Sequence, residues 1–126
     1  MHPNEELIRR FYEARARGDD DSVRDLLSPQ IVMHEPPNYG GFAGDHAGVE
    51  AVFREVFDRY DGYEDSALDL HDVLANDDHA VALVTWYAVR DGTRVDGHEI
   101  GLYHVRDGRI AEAWFYPDGD YRDFFA

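Results

Sequence analysis

Cysteine is absent from this sequence, which removes thiolate nucleophiles, disulfides and Cys-ligated metal sites and leaves carboxylates, phenols and imidazoles to do chemistry. Two glutamates have settings suited to proton transfer. Glu35 closes a short extended run, Gln30 to Glu35, immediately before Pro36-Pro37; strand alternation turns it to one side and His34 to the other, so only one of the two can face a given pocket. Glu99 lies in a long strand-like run in which Val95, Gly97, Glu99, Gly101, Tyr103 and Val105 share a face. A carboxylate in dry apolar surroundings loses more hydration than its neutral acid does. Its pKa then rises toward the range where it serves as a general base or acid at neutral pH. Each residue also has a plainer reading: Glu35 as a solvated strand end, Glu99 as a rim glutamate paired with an arginine.

The seven histidines invite a metal reading that their spacing refuses. His98 and His104 share a strand face but stand ~20 Å apart along an extended chain, too far for one ion. Neither HxH nor HExxH occurs. No metal and no other cofactor is expected, and most of the histidines read as surface or interface residues.

The chain has 126 residues, 44% of them hydrophobic, which fits one domain spanning 1–126. Twenty-seven acidic residues face twelve basic ones, all Arg, for a net charge of -15. Phosphate contacts from Lys and Arg supply most nucleic-acid affinity, so nucleic acid and anionic membranes are excluded as main partners. No apolar run approaches the ~20 residues of a bilayer span, and the N-terminal stretch lacks a signal-peptide core. A cytoplasmic location is the simplest expectation.

The elements that must position these groups follow from periodicity. Pro3 to Arg17 reads as a helix with Leu7, Ile8, Phe11, Tyr12 and Ala14 on one side, stopped at Gly18. Asp20 or Asp21 can cap a short second helix that ends before Ser28-Pro29. The stretch NYGGFAGDHAG after Pro37 reads as an irregular rim loop. Val49, Val52, Phe53, Val56, Phe57 and Tyr60 form the clearest amphipathic stripe, ended by Gly62. Four strands follow, Ala67 to Ala75, His79 to Arg90, Arg94 to Arg106 and Arg109 to Tyr116, with Asp91-Gly92 and Asp107-Gly108 as hairpin turns. Helices first and a meander afterwards predict an α+β fold with three helices over one face of an antiparallel sheet.

The segments FYEARARGD, FAGDHAGVEAVF, HVRDGRIAEAW and YPDGDYRDFF, in this helix-strand order, resemble the nuclear transport factor 2-like superfamily, in its SnoaL-like and ketosteroid-isomerase-like branch, over essentially the whole chain. The resemblance implies a curved, cone-shaped antiparallel sheet around an apolar pocket, and a fold that serves isomerases, polyketide cyclases, epoxide hydrolases, dehydratases and non-catalytic proteins alike. It places Glu35 where the isomerases carry their proton-moving aspartate. It also puts Phe11, Gly101 and Phe115 at positions where relatives carry a tyrosine, an aspartate or histidine, and an aspartate, so three polar groups are missing here. Glu99, two residues from Gly101, is the candidate replacement, flanked by Tyr103. The same matching puts Val84, Trp86 and Ala88 on the inner face as an apolar wall, with Phe115 beside them. Tyr12 sits about 100° around its helix from Phe11, at the cavity or its edge. Tyr121, Phe124 and Phe125 read as a short helical lid or plug, with Asp118 at the pocket mouth.

The resulting expectation is a small cofactor-free acid/base enzyme of isomerase, cyclase, dehydratase or hydrolase type, acting on an apolar, cyclic small molecule through Glu35. Two alternatives stand beside it: a non-catalytic carrier of a hydrophobic ligand, and a dimerisation module with a filled cone. Because helices cover only one sheet face, Ile100, Leu102 and Trp114 on the other predict a homodimer through that open face. Sedimentation at micromolar concentration should give the mass of a dimer; a monomer there contradicts the expectation.

Overall fold

In the computed structural model, which describes residues 1–126, two helices precede the first strand. Helix α1 (Pro3–Arg17) begins with the His2 side chain accepting the Asn4 amide and stops at Gly18, whose φ of +67° is the left-handed cap expected of a glycine there. Its buried face carries Leu7, Ile8, Phe11, Tyr12 and Ala14. Helix α2 (Asp20–Leu26) is capped by Asp19 rather than by Asp20 or Asp21. Gly18 has just turned the chain, so Asp19 is the last non-helical residue and its carboxylate meets the Ser22 amide at 3.2 Å.

Strand β1 (Leu27–Glu35) starts directly after α2, earlier than periodicity suggested. The glycine-rich stretch is more ordered than its composition implies. A 3-10 segment (Pro37–Phe42) leads into strand β2 (Gly44–Ala47), which pairs antiparallel with β1 and sets Glu35 opposite Gly44. Gly40 at φ +54° and Gly44 at φ +118° supply the turns. Next, α3 (Val49–Val52), a π-helical turn (Phe53–Phe57) and α4 (Asp58–Asp61) run on as one segment, burying Val52, Phe53 and Phe57.

The meander is β3 (Asp65–Ala75), β4 (His79–Arg90), β5 (Thr93–Arg106) and β6 (Arg109–Pro117). Both Asp-Gly turns have positive φ at each residue, the mirror-image geometry that matches strand twist. The six strands form one sheet in the order β2-β1-β6-β5-β4-β3. One pairing departs from the all-antiparallel expectation: β1 lies parallel to β6, because the chain returns to its first strand only after the whole meander. Bulges between Leu70 and Asp72 and between His104 and Val105 bend the sheet. The architecture is therefore a mixed α+β fold with a curved sheet and helices on its concave side, α1 against β3 and β4, and α2 against β1 and β6.

The hollow in that concave side is written in side-chain volume. Along the inner face of β4 and β5, Ala82 pairs with Gly101, Val84 with Glu99, Trp86 with Gly97 and Ala88 with Val95. Alanines and glycines leave space that one indole and a few phenyl rings only partly fill. On the convex face Leu102 pairs with Trp114 and Ile100 with Tyr116, and Ile100, Tyr116 and Leu74 are exposed. No helix is long and apolar enough to cross a membrane.

Candidate functional site

Within the curve lies a cavity of about 80 Å³, walled mainly by apolar side chains. Six of the residues singled out in the sequence line it: Tyr12, Glu35, Trp86, Glu99, Tyr103 and Phe115. Two do not. Val84 is buried in the wall between Leu70 of β3 and Glu99 of β5. Asp118 lies past the end of β6 and is exposed, its carboxylate hydrogen-bonded to the Tyr121 hydroxyl and 3.2 Å from His98 Nδ1. Following Pro117, Asp118 falls on the convex side of the alternation, away from the mouth.

Glu35 reaches the cavity from the end of β1, and Glu99 from the middle of β5. Neither carboxylate has an arginine partner. Arg15, the cation in the cavity wall, is engaged by Asp61 at 2.9 Å and lies 4.3 Å from the Phe57 ring centre. The rim-glutamate reading of Glu99 is thereby replaced. Burial pushes Glu99 up to about 7, with the Tyr39 hydroxyl opposing the rise. Burial, and then repulsion from Glu99, push Glu35 well above the usual carboxylate range. At neutral pH the pair retains at least one proton, so a base and an acid share one apolar cavity.

Three tyrosines stand around them. Burial raises Tyr12, Tyr39 and Tyr103, which keeps all three as neutral donors. Tyr12 reaches inward from α1, and its hydroxyl meets that of Tyr103 at 2.5 Å. The absence of a polar side chain at position 101 has a structural meaning: a Cβ on Gly101 would sit 2.9 Å from the Tyr103 ring and 3.2 Å from its hydroxyl. The phenol folds back over the glycine toward Glu99, so Tyr103 fills the space an aspartate or histidine would occupy. Gly97, two residues the other way, does the same for Trp86, whose Nε1 lies 2.9 Å from where a Cβ would be.

Sequence reasoning missed Tyr39, Phe42 and Tyr60 in the wall. Tyr39 and Phe42 belong to the stretch read as rim loop; their aromatic content was the available signal. His46 is an exception among the histidines. It is buried, joining the Phe42 carbonyl at 2.7 Å to Glu55 at 2.8 Å and so fixing this wall to the helical segment. The C-terminal plug is present as one hydrogen-bonded turn rather than a helix, with Phe125 2% exposed and lining the cavity. Arg15, Tyr60 and Leu68 also line an adjoining polar surface groove.

The elevated Glu99 pKa makes stability fall with rising pH. The folded state holds a proton that the unfolded chain has released, so this contribution is complete below the ordinary carboxylate pKa and is lost as pH rises through about 7. Urea titrations should show stability falling between pH 5 and 8, with Glu99 contributing roughly 2–3 kcal/mol of the loss, so that Glu99→Gln makes the slope shallower and leaves the part contributed by Glu35. An equal pH slope in wild type and variant contradicts the assignment.

Comparison with known proteins places this geometry in a family. The family model described as "SnoaL-like domain" matches residues 8–113. The Mycobacterium tuberculosis (strain H37Rv) protein Rv0034 is 31% identical over 116 residues, covering 90% of this chain and 88% of its own length. Among solved structures, Bal32a from a soil-derived mobile gene cassette superposes with a TM-score of 0.91 at 28% identity, over 98% of this chain and 97% of that one. A nuclear transport factor 2-like protein from Burkholderia pseudomallei gives a TM-score of 0.83 at 20% identity, over 94% and 92% of the two chains. The curved sheet and its covering helices are thus those of a known scaffold, and the chain belongs to the SnoaL-like domain family.

Proposed function

We propose that this protein is a small acid-base enzyme that moves a proton on an apolar cyclic molecule bound in the chamber, with Glu35 and Glu99 as the transferring groups. The observation that carries the reading is the pair of carboxylates without cationic partners in one apolar cavity. Burying two such groups is costly, and a fold that needed only a packed interior would be more stable with apolar residues there. The ionised member of the pair serves as base, and the member that keeps its proton serves as acid or as hydrogen-bond donor to developing charge. An isomerisation, cyclisation or dehydration needs only this alternation.

The chamber limits what enters. About 80 Å³ is less than the ~150 Å³ cavity that admits benzene, so a single ring is accommodated only with movement of the wall. Phe125, on a one-turn segment, is the wall residue best placed to yield.

A carrier function is the second reading, favoured by Phe11, Gly101 and Phe115 at positions where relatives carry polar groups. Proton exchange separates the two. In deuterium oxide the enzyme reading predicts catalysed deuterium incorporation next to the carbonyl of small cyclic ketones, followed by NMR. Glu35→Gln and Glu99→Gln should each slow it about 10²-fold or more. Unchanged exchange in a variant excludes that residue from proton transfer. Ligand binding without exchange in wild type supports the carrier.

A further inference from the structure

Glutamates elsewhere in this chain take cations. Glu5, Glu6, Glu50 and Glu55 each meet an arginine within ion-pair distance, although water reaches all four side chains and makes such pairs worth little. Glu35 and Glu99, both lining the chamber, have no cation of the protein beside them. The Tyr39 hydroxyl, which acts on Glu99 as a side-chain donor, brings no charge. A desolvated carboxylate gains most from a counter-charge, so the two positions where a cation would count most are the two the chain leaves open.

The rest of the wall suits a cation as well. Most of its residues are aromatic, and the face of an aromatic ring attracts positive charge. Two rings of this wall already carry one: the Arg15 guanidinium lies 4.3 Å from the centre of Phe57, and that of Arg59 lies 4.9 Å from the centre of Phe42. Arg15 is held by Asp61 and Arg59 by the carbonyls of Gly41 and Phe125, so neither is available to the glutamates. At long range the net charge of -15 concentrates cations around the protein and repels anions. An anionic ligand would meet two carboxyl groups and an arginine already engaged. A ligand without charge would leave a carboxylate unbalanced.

Resting on the acid-base reading above, we infer that the ligand of the chamber is a compact cyclic amine, held as its ammonium by Glu35 and Glu99 within the aromatic wall. An amine that enters neutral takes the proton the pair retains: the nitrogen lone pair forms the new N–H bond, and the carboxyl O–H bond breaks with its electrons left on oxygen. An amine that enters already protonated pairs with whichever glutamate is ionised. In both cases an ammonium faces a carboxylate, and nothing is oxidised or reduced. The apolar ring of the ligand then occupies the apolar part of the cavity, whose volume of about 80 Å³ keeps it small.

Cyclopentylamine, cyclopentanol and cyclopentanecarboxylate share one ring and are cation, neutral molecule and anion at neutral pH. They are titrated into the protein at physiological salt, with the indole of Trp86, one of two tryptophans, followed in 1H–15N spectra and identified by Trp114→Phe. The ammonium should bind about tenfold or more tighter than the alcohol, and the carboxylate weakest. Glu35→Gln and Glu99→Gln should each weaken the ammonium about tenfold and leave the alcohol unchanged, with melting temperatures at neutral pH unchanged or raised. The ranking in wild type decides the matter even where a variant fails to fold. Equal affinity for ammonium and alcohol, ammonium binding undiminished in both variants with a silent Trp86 indole, as attraction to the acidic surface would give, or binding of none of the three at tens of millimolar overturns the assignment. Deuterium exchange into cyclic ketones alongside any of those results removes the amine and leaves the acid-base reading. Ammonium bound through both glutamates without any exchange contradicts the acid-base reading and leaves the amine site standing.

Discussion

The constraint on which this structure turns is the cost of holding two carboxyl groups in an apolar chamber without a cation. Water would solvate both as anions; the chamber does so less well, and burial, with repulsion between the two, raises both groups so that the pair keeps a proton. Polar neighbours elsewhere follow the usual economy of ion pairs. On the convex side His34 sits between Asp45 at 2.7 Å and Glu112 at 2.6 Å, stacked on Trp114, and those carboxylates raise its pKa. The contrast between the satisfied imidazole outside and the unpaired glutamates inside separates scaffold from site.

Everything near the glutamates is arranged by subtraction. Gly97 and Gly101 remove two side chains from the Glu99 face of β5, and into those gaps lie the Trp86 indole and the Tyr103 phenol. Ala82 and Ala88 thin the facing wall of β4. Aromatic rings then close the space, Phe11 meeting Tyr12 and Tyr103 and Phe125 meeting Tyr39 and Phe42 through edge contacts, with Phe125 tilted against Trp86. Such packing excludes water while leaving polar tips free to point inward.

Much of the fold was legible because its signals are local. Gly18, the Asp-Gly turns and the stripe from Val49 to Tyr60 act over a few residues, and helix and strand follow from them. The parallel β1–β6 pairing was not legible, since it joins segments from opposite ends of the chain by shape rather than by pattern. Strand β2 was missed because glycines at positive φ look like loop in composition while serving a hairpin. In the site, alternation put Glu99 and Tyr103 on one strand face and the family resemblance put Trp86 on the inner one, and all three line the cavity, whereas Asp118 beyond Pro117 could not be oriented by alternation alone. Tyr39 and Phe125 reach the chamber through tertiary folding of irregular segments, which periodicity does not encode. The reading of Gly101 as a missing polar group was incomplete for the same reason: the replacement arrives from Tyr103 through space.

The central claim is that Glu35 and Glu99 share a chamber that holds a proton at neutral pH, and carbon-detected NMR of glutamate carboxyls labelled with 13C tests it most directly. The account predicts that the Glu99 carboxyl titrates with a midpoint of about 7 and that Glu35 also titrates well above the usual carboxylate range, each assigned by its glutamine variant. Midpoints for both near the ordinary glutamate value of about 4.3 would contradict it, because two freely ionised carboxylates mean a wet and open interior.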